Sequence, residues 1–569
     1  MIMVIDLRQI VDIICKARTS LVLIILLFKF MVSVAQEDWE KESGEIQSGE
    51  FVIEKDKKIE LPHSNRLFNK IPPPPVNPGI TALNYKYSEI DFMPETLTPR
   101  LRVLTISGEE LTKLYGNYVS AGFGNFSTPY LEGYFGSKRT VSSQYGLSFH
   151  HLSSGKGPVD GKNSANANTR IGLTGKSFNE HMTLEGDLIY SRFNMFFYGY
   201  DMGIPVDRDT IEQIFNVFGV KIGIQANNPE NSWHPALYLS YYYITDKFSA
   251  KEGEFAIGLN QEFEIDDQSS FDLDVSLSLI SREDQAIASY TRNLLKINPR
   301  YNLKLGNFEI HAGLKGVAEN DNVQNADKFH VYPDINANYY LNNKTRIYGG
   351  ITGDIEKKTL GNLVNENPFL TPNIEIYHTN KEIDIFGGLK GQVTSILGFD
   401  LGISLSSLKN SGYYINDTTQ FNKFTLTYDL GSVTLVNPFL QLSYNKSAKS
   451  NLKLRLDLYE YSTDGVTQPW HKPSFKATFN SRFNVYDKIF INADINYLSG
   501  IKVADFNKSI DGTFELEAIT DISLKLDYLF SKQFSVFLSI NNLLSDEYER
   551  LNRYPVRGLQ ALGGVSYSF

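Results

Sequence analysis

Four stretches of this sequence alternate apolar and polar residues with few interruptions, and that alternation commits the chain to strands with one greasy face. In FDLDVSLSL, Phe271, Leu273, Val275, Leu277 and Leu279 alternate with Asp272, Asp274, Ser276 and Ser278. In NLKLRLDLY, Leu452, Leu454, Leu456 and Leu458 alternate with Lys453, Arg455, Asp457 and Tyr459. DISLKLDYL sets Ile522, Leu524, Leu526 and Tyr528 against Asp521, Ser523, Lys525 and Asp527, and FSVFLSIN has the same character. A sustained period of two is a strand whose side chains sort onto two faces. These runs match the roughly 9–11 residues that a tilted strand needs to cross a hydrocarbon layer.

The connections supply the second constraint. Short polar turns, such as Asp266–Ser269, Gly306-Asn307, Tyr486–Lys488 and Ser531–Gln533, alternate along the chain with longer links, such as Ser154–Lys162, Asp201–Thr210, Lys357–Asn380 and Ser545–Pro555. Such alternation predicts an all-β chain closed into a large antiparallel transmembrane β-barrel, with turns on one side of the membrane and loops on the other. Taking Phe421–Tyr444 as one long strand, the hairpins from Tyr115 to Phe569 give about 22 strands. After the first 35 residues no run of eighteen apolar residues offers a spanning helix, whereas aromatics reach 13%. That enrichment fits strands and interfacial girdles. The rings of Phe196–Tyr200 and Tyr241–Tyr243 lie near strand ends and read as girdle residues.

Three segments are expected. Residues 1–35 read as a signal peptide, because Lys16 and Arg18 precede the apolar run Leu21–Phe28, and Ser33-Val34-Ala35 offers small residues for cleavage before Gln36. Residues 36–114 read as a short, mostly irregular periplasmic segment: acidic at first, then rigid through Pro72, Pro73, Pro74 and Pro75. Residues 115–569 form the barrel. No recognisable plug domain is found in 36–114.

Composition closes several functional classes. A net charge of −10 with no basic stripe argues against nucleic acid. The single cysteine, Cys15, falls in the leader, so the exported chain has no thiol for a disulfide, a zinc site or a nucleophile. The nine histidines show no metal-ligand spacing, and the adjacent His150 and His151 point to opposite faces of a strand. With no nucleophile elbow or phosphate loop in the right context, the chain is read as a non-enzyme, with no catalytic residues, cofactor or metal. The lumen-facing charges Asp272, Asp274, Lys453, Arg455, Asp457, Lys525 and Asp527 are of mixed sign, which is the pattern of paired neighbours rather than of an ion filter.

The chain ends on a strand. Val565, Tyr567 and Phe569 share one face, while Gln560, Gly564, Ser566 and Ser568 share the other. A final strand ending in Phe is typical of bacterial outer-membrane barrels, and Val565, Tyr567 and Phe569 read as the closing strand and its C-terminal signal. Together with Asn542-Leu543, Tyr548, Tyr554-Pro555 and Gly558, this hairpin resembles the carboxyl end of TonB-dependent receptors. The resemblance implies residence in the outer membrane of a Gram-negative cell, contact with its lipid bilayer, and uptake or transport of a ligand. It also directs attention to Phe51-Val52-Ile53, which is similar to the short apolar box such receptors offer to TonB; with the four prolines it forms a candidate partner-docking tail. Those receptors carry a plug of well over a hundred residues, and this chain departs from that pattern. Two alternatives therefore stand beside transport: a non-transporting barrel that acts as an assembly subunit of an envelope complex with a periplasmic or outer-membrane partner, and a passive pore.

Overall fold

A computed structural model describes residues 115–569 apart from 139, 141, 228–232, 324–326 and 506–511. Residues 1–114, with the expected leader, Phe51, Val52, Ile53 and the prolines Pro72 to Pro75, lie outside the described residues.

Antiparallel pairing runs from each strand to the next around one sheet of 23 segments. Ser450–Leu458 and Glu460–Ser462 are one wall strand interrupted at Tyr459, and both pair with Val433–Lys446. The wall is therefore 22 strands. It closes where Asn117–Gly124 pairs with Gln560–Ser568, in the register Tyr118↔Ser568, Ala121↔Val565 and Gly124↔Leu562. Closure leaves no sheet edge unpaired in the membrane. At this seam the strands pack tightly: a Cβ on Gly564 would lie 2.4 Å from both the Ala121 carbonyl oxygen and the Phe537 ring.

The two faces of the wall sort as the alternation requires. Leu131, Leu173, Leu188, Ile222, Ile335 and Val565 are exposed on the outside, in the belt that meets lipid. Near the short-turn end this belt ends in exposed aromatics, among them Trp233, Phe263, Phe308, Phe530, Tyr567 and Phe569. A closed barrel with this exterior spans a bilayer. Inside, opposite charges pair: Arg300 reaches Asp274 at 2.6 Å and Asp272 at 3.7 Å, Arg455 meets Asp457 at 2.7 Å, and Lys525 meets Asp527 at 3.5 Å.

Strand length varies around the wall. Asn117–Gly124 has 8 residues, whereas Lys251–Asp266 and Tyr290–Leu305 have 16. Sixteen residues extend about 53 Å, or about 37 Å along the axis at a tilt of about 45°, which exceeds a hydrocarbon layer of about 30 Å. The surplus stands as a collar at the long-link end.

Three expectations from the sequence differ in the structure. Phe421–Tyr444 is not one strand: Phe424–Asp429 pairs with Ser411–Asn416 in a separate hairpin, and the wall resumes at Val433–Lys446. The break is held by Asp429, whose carboxylate accepts from the backbone N–H groups of Gly431, Asp464 and Gly465 at 2.9–3.0 Å. Phe196–Tyr200 are not girdle residues either. Phe196 and Phe197 are buried in a core where the long links meet the wall, and Tyr198 and Tyr200 pack against it. In Tyr241–Tyr243 the faces split: Tyr241 and Tyr243 stack on one face with centroids 6.5 Å apart, while Tyr242 lines the lumen.

Candidate functional site

The long link between Thr345–Glu356 and Thr379–Gln392 turns inward and covers the collar. Its one helix, Leu360–Glu366, begins at Thr359, whose hydroxyl oxygen accepts from the Asn362 N–H at 3.2 Å. Leu360, Leu363 and Val364 fall on one helical face, and all three are buried in the same core as Phe197, Phe215, Ile244 and Phe424. This is a hydrophobic core in which the links pack onto the lumen face of the wall, since Phe215 and Ile244 belong to wall strands.

Charge fastens the link to the collar. Arg292, 1% exposed, donates to the carbonyl oxygens of Lys358 at 3.0 Å and Ile376 at 3.2 Å, and to Glu252 Oε2 at 3.3 Å. Glu252 in turn accepts from the Leu360 N–H at 2.6 Å. Arg282, also 1% exposed, donates to the Ile374 carbonyl and pairs with Asp284 at 3.0 Å, and Asp284 accepts from the Asn373 N–H at 2.9 Å. The His378 N–H donates to Asp321, whose carboxylate lies 3.8 Å from Arg292. The strands thus supply guanidinium groups to the link's carbonyls, and carboxylates receive its amides. Each buried charge has a counter-charge, as a low-dielectric site requires.

Asp321 and His378 lie in links outside the membrane-spanning strands, and burial acts on them in opposite directions. It holds the His378 imidazole down at about 3 from 6.5, helped by the Arg292 charge. It pushes the Asp321 carboxyl up to about 6 from 3.8, against the pull of Arg292. A released link protonates its histidine below 6.5 while the docked one refuses the proton, so acidification favours release. The docked Asp321 takes a proton below about 6 that the released one refuses until about 3.8, so over that window acidification favours docking. The two contributions cancel between pH 6 and 4. In Asp321→Asn the aspartate's opposing contribution is gone, so protease cleavage within 357–378 rises relative to the parent as pH falls from 6 to 4, by up to about tenfold per pH unit. Cleavage rates normalised to an unfolded peptide check this; profiles that coincide in parent and variant contradict it.

The terminal hairpin meets the same core. Tyr554, 3% exposed, stacks on Phe369 with centroids 3.6 Å apart, meets Tyr198 edge-on at 4.8 Å, and donates its hydroxyl to the Asn422 carbonyl. The Pro555 carbonyl accepts from the Tyr198 hydroxyl at 3.2 Å. Asn542, at φ 50°, donates to the carbonyls of Asp546 at 2.6 Å and Arg557 at 2.8 Å and so shapes the last link. Tyr548 donates to Asp521 at 2.6 Å, and Gly558 leaves room for Ser545 Oγ, which a Cβ would approach to 2.9 Å. Leu543 is exposed, and its N–H bonds the Ile522 carbonyl at 2.8 Å. In the closing strand, Val565, Tyr567 and Phe569 face outward; Phe569 lies 5.7 Å from Tyr567 and 6.3 Å from Phe135.

Between the wall and the docked link lies a cavity of about 530 Å³, lined by Asn168, Arg170, Phe193, Phe215, Tyr242 and Lys357 among others. Lys357 pairs with Glu254 in its wall. Sequence reasoning missed both the cavity and its clamp, since Glu252, Arg282 and Arg292 occupy ordinary lumen positions. Among the described residues no group of three or more His, Cys, Asp or Glu is placed to hold a metal ion.

No family model and no curated protein matches this sequence. Solved structures do match in fold. The FrpB iron transporter from Neisseria meningitidis aligns with a TM-score of 0.62 at 10% identity, over 81% of this chain and 82% of that one. The ferric-catecholate import receptor Fiu from Escherichia coli K12 aligns at 0.60 and 11%, over 80% and 82%. The siderophore receptor PirA from Acinetobacter baumannii aligns at 0.61 and 10%, over 80% of each chain. At such identities the likeness is one of fold.

Proposed function

We propose that this chain is an outer-membrane receptor that takes up a ligand through a gated barrel, with its short turns in the periplasm and its docked link facing outside. The observation that carries the reading is the covered collar: an inward-folded link fastened by buried charge lies over a ligand-sized cavity. A barrel used as a passive pore has no use for a mouth so heavily fastened. Likeness to receptors that import iron complexes supports ferric siderophores as the first ligands to test. Gln36–Leu114 serves as the periplasmic tail, with Phe51-Val52-Ile53 and the proline run as its docking elements for a TonB-like protein. Residues 1–35 direct export, and the outward ring of Phe569 completes the signal read during insertion.

The test is iron uptake. In a Gram-negative host stripped of its own ferric-siderophore receptors, the chain should support uptake of radiolabelled iron from a catecholate or hydroxamate panel. Deleting Glu50–Pro78 should abolish that uptake while the barrel stays heat-modifiable on gels. Uptake unchanged by the deletion would remove the tail from the mechanism. A steady, large conductance of the purified chain in planar bilayers would replace transport with the passive pore.

A further inference from the structure

Among the described residues, one cation in the cavity has no partner. The two carboxylates that line it are engaged: Glu252 with Arg292 and with the Leu360 N–H, and Glu254 with Lys357. Arg170 is exposed to the cavity, and among the described residues its guanidinium makes no hydrogen bond or ion pair. The side chains of Asn168 and Ser191 beside it, and of Tyr242 three strands along the wall, are likewise uncommitted among the described residues, and all three line the same space.

Register explains why they converge. Arg170 sits opposite Ser191, Ser191 opposite Val217, and Val217 opposite Ile244, so these four share one rung of the lumen face. The neighbouring rung runs from Asn168 through Phe193 to Phe215. Tyr242 faces Gly219, where a Cβ would come within 2.7 Å of its ring, so the ring lies flat along the wall. The result is a polar end built around a free guanidinium and an apolar end of Phe193, Phe215 and Val217. Five donors in a planar fork, partly shielded from bulk water, favour an oxyanion.

We propose that this cavity binds a compact amphipathic organic anion, with its carboxylate, sulfonate or phosphate on Arg170 and its aromatic or apolar body against Phe193, Phe215 and Val217. A cation is disfavoured by Arg170 and Lys357 together, and a neutral ligand leaves the guanidinium unanswered. The inference rests on the receptor reading only in taking the cavity as the ligand site, and the binding test below is independent of transport.

The exported chain in phosphatidylcholine nanodiscs is titrated calorimetrically with 2-naphthoate and its neutral isostere 2-naphthamide, with empty nanodiscs subtracted. Naphthoate should bind about tenfold tighter or better. Arg170→Gln should bring the two probes together while leaving naphthamide affinity unchanged. Arg192→Gln, on the opposite face of its wall strand, should alter neither, and Phe193→Ser should weaken both. Equal affinity for the two probes, a preference that survives Arg170→Gln, or no saturable binding of either probe would each overturn the proposal. Failed iron uptake with intact naphthoate preference would instead count against the receptor reading alone.

Discussion

Arg292→Met should release the link over the barrel mouth while leaving the barrel folded. The substitution keeps a long apolar stem but strips the counter-charge from Glu252, which is 3% exposed, and from the buried Asp321. It also leaves the carbonyls of Lys358 and Ile376 without their donor. Removing one member of a buried pair costs about 3–5 kcal/mol, because the remaining charge stays desolvated and alone. That cost falls on the docked state of the link rather than on the wall, whose strands keep their hydrogen bonds. The open population should therefore rise about a hundredfold or more. Limited proteolysis within 357–378 checks it: rapid cleavage with unchanged heat-modifiability is expected, and cleavage as slow as in the parent would show that the clamp carries little.

Tyr554→Ala should open the same mouth from the other side. The ring is stacked on Phe369 and touches Tyr198 and Phe424, so it joins the terminal hairpin to three other links. Truncating such a buried aromatic costs about 3–5 kcal/mol. Tyr554→Phe loses only the hydroxyl's bond to the Asn422 carbonyl, about 1 kcal/mol. Proteolysis of the link should thus be fast in the alanine variant and near the parent rate in the phenylalanine variant. Equal rates in both variants would assign the effect to the hydroxyl and remove the ring as the hub.

The wall was legible because its signal is local: Leu273, Val275 and Leu277 need only their own neighbours to declare a strand, and Val565, Tyr567 and Phe569 declare a closing one. The covered mouth was not, because its signal is distant. Arg292 finds the Ile376 carbonyl 84 residues away, and Glu252 finds the Leu360 N–H 108 away. In one-dimensional view each is an ordinary polar residue on a lumen face. Phe196–Tyr200 misled for a related reason, since aromatics at a strand end serve a lipid girdle or a loop core, and only the packing of other links decides. The terminal motif carried more than a resemblance. Asn542 and Tyr554, singled out for their likeness to receptor ends, hold the last link in shape and pin it to the core over the collar.

The most direct test of a closed mouth is cysteine accessibility from outside the cell, which suits a chain whose only cysteine, Cys15, precedes the expected cleavage site. Ser240→Cys places a thiol on the lumen wall in the space that Lys357 reaches from above, and Ser127→Cys places one on the outer turn between the first two strands. Intact cells are treated with a maleimide on a large polyethylene glycol chain. Labelling at residue 127 but not at 240, with 240 becoming reactive when Arg292→Met is added, is the expected result. Equal labelling at both positions in the parent would mean that the mouth stands open.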